Sequence, residues 1–355
     1  MKGIKYALSK ILAIVIAVVV VTVGVGVTLL LANISSTPPP EKPEVIRIAD
    51  TSPYPPPYHT ALFSAAEKLK AMGIKVEIPV LRGFEGETAA LLAGEIDIGW
   101  FPLSSLAAMV KQGAPVKVVA SYTQRDEFAF VTKAEVKTLS DLKGKKLAAH
   151  GRFSLTELAL VAIMDSAGMK TGKDYELVYI TGTPARASAL AAGTIDGTVI
   201  GSVEAFALVR KDPRFKILAW SVDAYPRGDY SVWVVREDTL RNRPGVVYYF
   251  LKAYLEAVRE LNSMTPEQVA QRYWSLLDTY RPEVKAGWVL EDVVNSMRKV
   301  QPLRIWDDNG GLTRDSWRVA DEVYRKYGFY DTPLNYDAVV DRTTLDRVLS
   351  EIGRK

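Results

Sequence analysis

Two stretches of the chain share one pattern of hydrophobic and polar positions. Ala90–Asp97 has the sequence A-L-L-A-G-E-I-D and Ala189–Asp196 has A-L-A-A-G-T-I-D, so the pattern recurs after a shift of 99 positions, from 97 to 196. Each copy predicts a helix rich in Ala and Leu, ended by a glycine at positive φ, and then a buried strand. A unit made twice predicts two similar α/β lobes with a ligand-binding cleft between them.

Hydrophobic strand-like runs alternate with helical stretches of about ten residues from Val45 to Ala219, which predicts parallel β-α-β units. Phe128–Thr132 and Tyr230–Val235 are β-rich and are predicted to be paired crossovers between the lobes. We therefore predict residues 45–129 as the first part of lobe 1, 130–227 as lobe 2, and 228–355 as the return to lobe 1. The return is predicted to be helical and to pack on lobe 1, with helices at Pro244–Leu261, Pro266–Leu277, Glu283–Val300 and Ser316–Tyr327.

The N-terminal segment has the pattern of a membrane anchor. Lys2, Lys5 and Lys10 precede an uncharged run over 11–32, which as a helix spans about 33 Å against a bilayer core of about 30 Å. We predict a cytoplasmic tail at 1–10, a single transmembrane helix at 11–32 and a Pro-rich linker at 33–44, with the bulk of the chain extracytoplasmic. The alternative is a cleaved signal peptide, whose apolar core is usually shorter and ends at a small-residue site.

Composition excludes several kinds of site. The chain has no cysteine and two histidines, His59 and His150, so it has no disulfide framework and no cysteine nucleophile, and we predict no metal site and no cofactor. It contains 45 Lys and Arg against 41 Asp and Glu. Three of the lysines lie in the N-terminal tail, so the remainder is nearly neutral and gives no support to a nucleic-acid partner.

The order of motifs resembles a known family. A-L-L-A-G-E-I-D-I-G, T-L-S-D-L-K-G-K-K-L-A and A-L-A-A-G-T-I-D-G-T followed by G-S-V-E-A-F are similar to the type II periplasmic-binding-protein-like receptors of the sulfonate, taurine and nitrate uptake group. That group includes binding proteins for thiamine-pyrimidine precursors. The resemblance implies a two-lobed α/β fold whose partners are a small-molecule ligand, an ABC permease and its ATPase. Glu204 fits an acidic position of the family, whereas the aromatic residue and the proline that often flank it are replaced.

Ligands of parallel α/β sheets bind beyond the carboxyl ends of the strands, and the loops there supply our candidates. Arg152 beside a helix N-terminus with the capping-box spacing of Ser154 and Glu157 favours an anion, although such a box is commonly structural. Asp307–Gly311 lacks the spacing of a calcium loop and is predicted to be a turn. The full set of predicted ligand-binding residues is Ser52, Tyr54, Tyr58, Glu87, Thr88, Trp100, Phe101, Arg152, Ser154, Thr156, Thr183, Arg186, Ser202 and Glu204.

These features predict a membrane-anchored solute-binding protein for a small polar or anionic solute, such as a sulfonate, taurine, nitrate or a thiamine-pyrimidine precursor. The first alternative is an enzyme on the same fold, of the thiamine- or menaquinone-precursor type. The related thiamine-type synthase carries a Cys-rich iron motif, which this chain lacks, and His59 alone is too little for acid–base chemistry, so we predict no catalytic residues. The second alternative is an extracellular sensor domain.

Overall fold

The order of the β-strands is repeated in the structure, as the internal repeat of the sequence is. The computed structural model describes residues 38–51 and 54–355, so the predicted anchor at 11–32 and the predicted ligand residue Ser52 lie outside the described residues. Within that described part, no helix is both long enough and apolar enough to cross a membrane. Residues Lys42–Lys355 form one unit, and its elements are described here.

The described strands and helices alternate through the first two thirds of this unit, and helices dominate the rest. The strands are β1 (Val45–Arg47), β2 (Lys75–Glu77), β3 (Ile98–Pro102), β4 (Val116–Thr123), β5 (Phe128–Lys133), β6 (Lys146–Ala149), β7 (Glu176–Tyr179), β8 (Gly197–Gly201), β9 (Phe215–Trp220) and β10 (Ser231–Arg236). The helices are α1 (His59–Ala71), α2 (Gly83–Ala93), α3 (Leu103–Lys111), α4 (Leu155–Ser166), α5 (Thr183–Ala191), α6 (Ser202–Lys211), α7 (Glu237–Asn242), α8 (Pro244–Ser263), α9 (Pro266–Tyr280), α10 (Leu290–Val300), α11 (Arg314–Lys326), α12 (Tyr336–Val339) and α13 (Thr343–Ile352).

Both lobes arrange their strands in the same order. In lobe 2 the sheet runs β7-β6-β8-β5-β9. In lobe 1, β2 pairs with β1, a parallel bridge from Ile48 to Ile98 joins β1 to β3, and β3 continues through β10 to β4. The repeat helices α2 and α5 end as their sequence predicts, because Gly94 and Gly193 adopt φ of 79° and 74°. The predicted two-lobed α/β fold is confirmed.

The two β-rich segments cross between the lobes without pairing with each other. β5 lies antiparallel between β8 and β9, and β10 lies antiparallel between β3 and β4. Each lobe therefore completes its sheet with a strand that arrives from the other lobe, so the chain crosses between the lobes at both segments. The predicted lobe boundary at 129/130 falls inside β5, which begins at Phe128, and the division into domains stays a prediction.

The helical return is not confined to lobe 1. α8 and α9 pack on α1 of lobe 1, but α10 also packs on α6 of lobe 2. There Arg210 donates two hydrogen bonds to Asp292, at 2.9 and 2.8 Å. The predicted helix at Glu283–Val300 is divided into a 3₁₀ turn at Pro282–Ala286 and α10, because the carboxylate of Asp292 accepts the N–H of Val289 and starts a new helix.

The core follows the alternation of residues along the crossover strands. Phe128 and Phe130 of β5 belong to the main hydrophobic cluster, whereas Ala129 and Val131 face a smaller cluster on the other side of the lobe 2 sheet. Successive side chains of a strand point to opposite faces, so one strand serves both clusters. The main cluster continues through the lobe boundary, which leaves polar residues there deeply buried.

Candidate functional site

The repeat places one charged residue of each lobe at an equivalent buried position. Glu87 lies on α2 and Arg186 on α5, again a shift of 99 positions. The carboxylate Oε1 of Glu87 accepts the backbone N–H of Trp100 at 2.7 Å. The Nε of Arg186 donates to the backbone carbonyl of Val199, the equivalent residue of lobe 2, at 3.3 Å. The two lobes therefore share a position and a backbone contact, but carry opposite charges.

Glu87 is short of partners. Its Oε2 atom has no hydrogen-bond partner within the described part of the chain, and the residue is fully buried. Burial raises the pKa of the Glu87 carboxyl well above its usual value, although the bond from Trp100 acts in the opposite direction. The side chain reaches across to β3 rather than capping its own helix. Thr88, beside it, is only partly buried.

Arg186 is instead well supplied with acceptors. Besides Val199 it donates to the carbonyl of Ile180 at 3.0 Å and to the hydroxyl of Thr183 at 3.2 Å, and its Nη1 lies 3.4 Å from Nδ1 of His150. Burial lowers the pKa of the Arg186 guanidinium to about 10, a shift that nearby Glu204 opposes. The structure brings the two predicted ligand residues Thr183 and Arg186 together, and most of the N–H groups of Arg186 hold lobe 2 itself.

A wall of aromatic rings lies on the lobe 1 side of the boundary. The ring of Tyr58 lies 6.1 Å from that of Trp100 and 5.5 Å from that of Tyr122, each pair edge to face. The indole N–H of Trp100 and the hydroxyl of Tyr122 are buried and have no hydrogen-bond partner among residues 38–51 and 54–355. Phe101, the neighbour of Trp100, belongs to the main core. Tyr54 differs from these buried rings, because 41% of its surface is exposed.

Two acids that our sequence analysis missed lie on the crossover from β4 to β5. Asp126 accepts the hydroxyl of Tyr225 at 2.9 Å, and Glu127 accepts that of Ser202 at 3.1 Å. Burial raises the pKa of Asp126 to about 7. Burial and then the charge of Glu204 raise the pKa of Glu127 well above its usual value. The only sequence signal is an Asp-Glu pair directly before a buried strand, which is not specific.

Glu204 completes the acidic group from lobe 2. It lies in the first turn of α6, and its carboxyl folds over Gly201, where any Cβ atom would collide with it. Burial raises the pKa of Glu204 to about 7, against the lowering effects of its own backbone N–H and of Arg186. One oxygen each of Glu87, Asp126, Glu127 and Glu204 lacks a hydrogen-bond partner in the described ranges. Ser202, a predicted ligand residue, bonds instead to Glu127 and, at 2.5 Å, to Ser296 of α10.

The predicted anion site at the start of α4 is occupied by the chain itself. The hydroxyl of Ser154 accepts the N–H of Glu157 at 3.3 Å, and that of Thr156 accepts the N–H of His150 at 2.9 Å. The carboxylate of Glu157 bonds the N–H of Phe153, so a negative charge already lies at this helix N-terminus. Arg152 is exposed and stacks on the ring of Phe153 at 4.8 Å. These contacts count against an anion at this turn.

The rim of the boundary is closed by contacts between the lobes. The hydroxyl of Ser104, on α3, donates to the carbonyl of Phe153 at 2.9 Å, and the ring of Phe153 lies 5.8 Å from that of Phe329. Phe153 has a φ of 62°, an unusual value for a residue with a side chain. Farther along, Lys326 of α11 donates to Asp165 of α4 at 2.7 Å.

Other features of the boundary are structural. His59 lies 3.1 Å from Asp50, which Arg281 also bonds at 2.7 Å, so these charges are paired inside lobe 1. Asp307–Gly311 is a turn, in which the carboxylate of Asp307 accepts the N–H of Asn309 at 2.8 Å. Within 38–51 and 54–355, no group of three or more His, Cys, Asp or Glu residues is arranged to hold a metal ion.

Solved structures share this two-lobed fold. The nitrate-binding protein NrtA from Synechocystis PCC 6803 has a TM-score of 0.71 and 13% identity, over 89% of this chain and 90% of that chain. The aliphatic sulphonate binding protein SsuA from Escherichia coli has a TM-score of 0.64 and 15% identity, over 85% of this chain and 93% of that one. The desulfurization enzyme DSZB has a TM-score of 0.62 and 15% identity, over 87% and 99%. At such identities the likeness concerns the fold.

The class of fold is therefore that of two-lobed periplasmic binding proteins. A family model described as NMT1/THI5 like matches residues 56–267, more than half of the chain. The chain belongs to the NMT1/THI5-like family. No curated protein is similar enough in sequence to match it.

Proposed function

We propose that the chain is an extracytoplasmic solute-binding protein of an ABC importer. It closes its two lobes around a small polar solute and presents that solute to a permease driven by an ATPase. One observation carries the proposal. Glu87 on lobe 1, Glu204 on lobe 2 and Glu127 on the crossover each bury a carboxylate oxygen that has no partner among the described residues. Buried polar atoms are normally hydrogen-bonded, so a bound solute explains why both lobes aim such atoms at one boundary.

The family and the fold support the same function. NrtA and SsuA, whose folds this chain shares, bind nitrate and aliphatic sulphonates by their names. The chain crosses between its lobes at Gln124–Glu127 and again before β10, an arrangement suited to hinge closure by a few residues. In the proposed function, the uncharged run at 11–32 anchors the protein and leaves the lobes outside the membrane.

The first experiment identifies the solute. Full-length protein is purified in a mild detergent and denatured, and the released small molecules are identified by mass spectrometry. Adding that solute back should raise the melting temperature, because binding to the folded state alone stabilises it by about 2.7 kcal/mol at a hundredfold excess over Kd. X-ray scattering should show a smaller radius of gyration. A melting temperature and radius that no co-purified solute changes would contradict the proposal.

The same experiment separates a receptor from an enzyme. DSZB shows that this fold also carries catalysis. A receptor should release its solute unchanged after prolonged incubation, whereas an enzyme would convert it. Steady conversion of the co-purified molecule, followed by chromatography, would favour the enzyme.

The proposed anchor has its own test. The protein should remain in the membrane fraction after a high-salt wash, with residues from Val45 onward open to protease added from outside. Release into the wash, or a mature N-terminus near Asn33, would instead support cleavage of the apolar segment.

A further inference from the structure

We propose that the solute is an organic cation, such as a protonated amine, amidinium or guanidinium, whose N–H groups bond the carboxylates of Glu127 and Glu204. The inference rests on the proposed function and adds the charge of the solute. It departs from the anion that the turn at Arg152 suggested.

The charges at the lobe boundary are unbalanced. Glu87, Asp126, Glu127 and Glu204 are all buried, and each has an oxygen without a hydrogen-bond partner in the described chain. The buried cations nearby already bond other groups: Nη2 of Arg281 bonds Asp50, and Arg186 bonds three groups of its own lobe, although Nε of Arg281 also has no partner in the described chain. An ionised carboxylate accepts hydrogen bonds and does not donate them, so Asp126 and Glu204, whose pKa values are about 7, need donors when they lose their protons. Glu127 needs a donor in the ionised form that a bound cation stabilises.

The aromatic wall provides an independent reason for an organic cation. Burial raises the pKa of Tyr58 well above its usual value, and Asp126, Glu127, Asp50 and Glu204 add to this effect, so the Tyr58 ring lies within the field of three of these acids and of Asp50. Trp100 and Tyr122 flank that ring, and the buried hydroxyl of Tyr122, which has no partner in the described ranges, can accept a hydrogen bond from the solute. Aromatic faces attract cations, and tryptophan does so most strongly.

The same groups disfavour an anion. A sulfonate or nitrate beside Asp126, Glu127 and Glu204 requires these carboxyls to be protonated, because like charges in a low-dielectric interior repel strongly. Burial raises the pKa of Asp126 and of Glu204 to about 7, so these two lose their protons near neutral pH. A cation favours that loss, since an opposite charge stabilises the ionised form.

The sign of the pH dependence follows from the groups that face the acids. Glu127 faces Glu204, Asp126 and the hydroxyl of Ser202, while Glu204 faces Arg186. Tyr273 of α9 lies within the field of Glu204 and Glu127, and Asp126 faces Tyr225. Of these groups, Asp126 and Glu204 have pKa values of about 7 and therefore change charge between pH 5.5 and 8. Lowering the pH protonates them, so the affinity for a cation should fall and that for an anion should rise.

The test is calorimetric titration of the full-length protein, purified in detergent and freed of co-purified solute. The cationic probes are agmatine, putrescine and histamine, and the anionic probes are ethanesulfonate and nitrate. We expect at least one cationic probe to bind, with a Kd that rises as the pH is lowered from 8 to 5.5. Glu204→Gln and Glu127→Gln should each weaken that probe roughly 10- to 150-fold, because each removes a charged hydrogen-bond acceptor.

Two control variants sharpen the result. Glu135→Gln removes an exposed acid just beyond the end of β5, and Arg152→Ala removes the exposed cation near the start of α4. Neither substitution should change the affinity. Thermal melts of every variant without probe verify folding. Binding of an anionic probe that strengthens at low pH overturns the inference while supporting the proposed function. So does a co-purified solute of net negative charge. If no probe binds and no solute co-purifies, the proposed function fails as well.

Discussion

The two lobes have the same strand order but differ in the side chains and contacts at equivalent positions. Lobe 1 runs β2-β1-β3-β10-β4 and lobe 2 runs β7-β6-β8-β5-β9, and in each the aspartate of the repeat accepts an N–H from the neighbouring strand. At the equivalent cleft position, however, lobe 1 has Glu87, short of partners, and lobe 2 has Arg186, held by its own backbone. Both side chains thus bond the backbone of the following strand, and of the two only Glu87 keeps an oxygen without a partner in the described ranges.

A second difference comes from the C-terminal helices. Asp97 bonds the N–H of Arg47 at 2.9 Å, and Asp196 bonds that of Lys146 at 3.0 Å. Asp97 is 1% exposed and also pairs with Arg243, whereas Asp196 is only partly buried. The C-terminal helices bury lobe 1 more completely than lobe 2. The same aspartate therefore contributes differently to the stability of each lobe.

The strongest test of the comparison is the pair Arg186→Met and Glu87→Gln. We expect Arg186→Met to lower the free energy of unfolding by about 3–5 kcal/mol, because buried acceptors of Ile180, Thr183 and Val199 lose their donor. Glu87→Gln should change it by less than about 1 kcal/mol, since the amide oxygen still accepts the N–H of Trp100. Urea unfolding of the full-length protein measures both. Equal losses would show that Glu87 is as structural as Arg186.

The substitutions Asp97→Ala and Asp196→Ala measure how much burial by the C-terminal helices adds to the stabilising effect of this aspartate. Asp97→Ala should lower the free energy of unfolding by about 2–3 kcal/mol, because a buried charged acceptor is lost and Arg243 keeps no partner there. Asp196→Ala should lower it by about 1 kcal/mol or less, since water can replace the lost bond at a partly exposed site. The same urea titrations apply. A larger loss of unfolding free energy for Asp196→Ala than for Asp97→Ala would mean that burial by the C-terminal helices is not what distinguishes the two lobes.

The smallest expected effect concerns the rim that joins the lobes. The Asp165 carboxylate is bonded by Lys170 and Lys326, which together lower its pKa to about 2. Asp165→Asn removes the charge facing Lys326, and an exposed pair of this kind contributes about 0.2–1 kcal/mol. The closed state should therefore lose at most about fivefold in population, seen as a larger radius in X-ray scattering. Asp315→Asn is the matched control, because Asp315 pairs with Arg318 within α11. An equal change in both variants would exclude a rim contact as the cause.

Some features of this structure follow from local sequence signals, whereas others depend on long-range contacts. The helix predicted at Pro244–Leu261 and the glycine ends of the repeat helices agree closely with the structure, because caps, breakers and hydrophobic period are local signals. Asp126 and Glu127 were missed, because nothing in the sequence shows that two adjacent acids are buried. The prediction of an anion site at the turn of Arg152 relied on a local signal alone. Its capping pattern was real, and the structure uses that pattern on the chain itself.

The sequence by itself determined the doubled unit, its strand and helix order, and the candidate residues Glu87, Arg186 and Glu204. It did so because a repeated hydrophobic pattern and its glycine stops require only neighbouring residues. Only the tertiary structure decided which charges face one another. The crossover brings Glu127 to Ser202, and α10 brings Ser296 to the same hydroxyl, contacts between residues 75 and 94 positions apart. Burial and electrostatic surroundings are properties of such long-range packing, and they determine what the boundary between the lobes can bind.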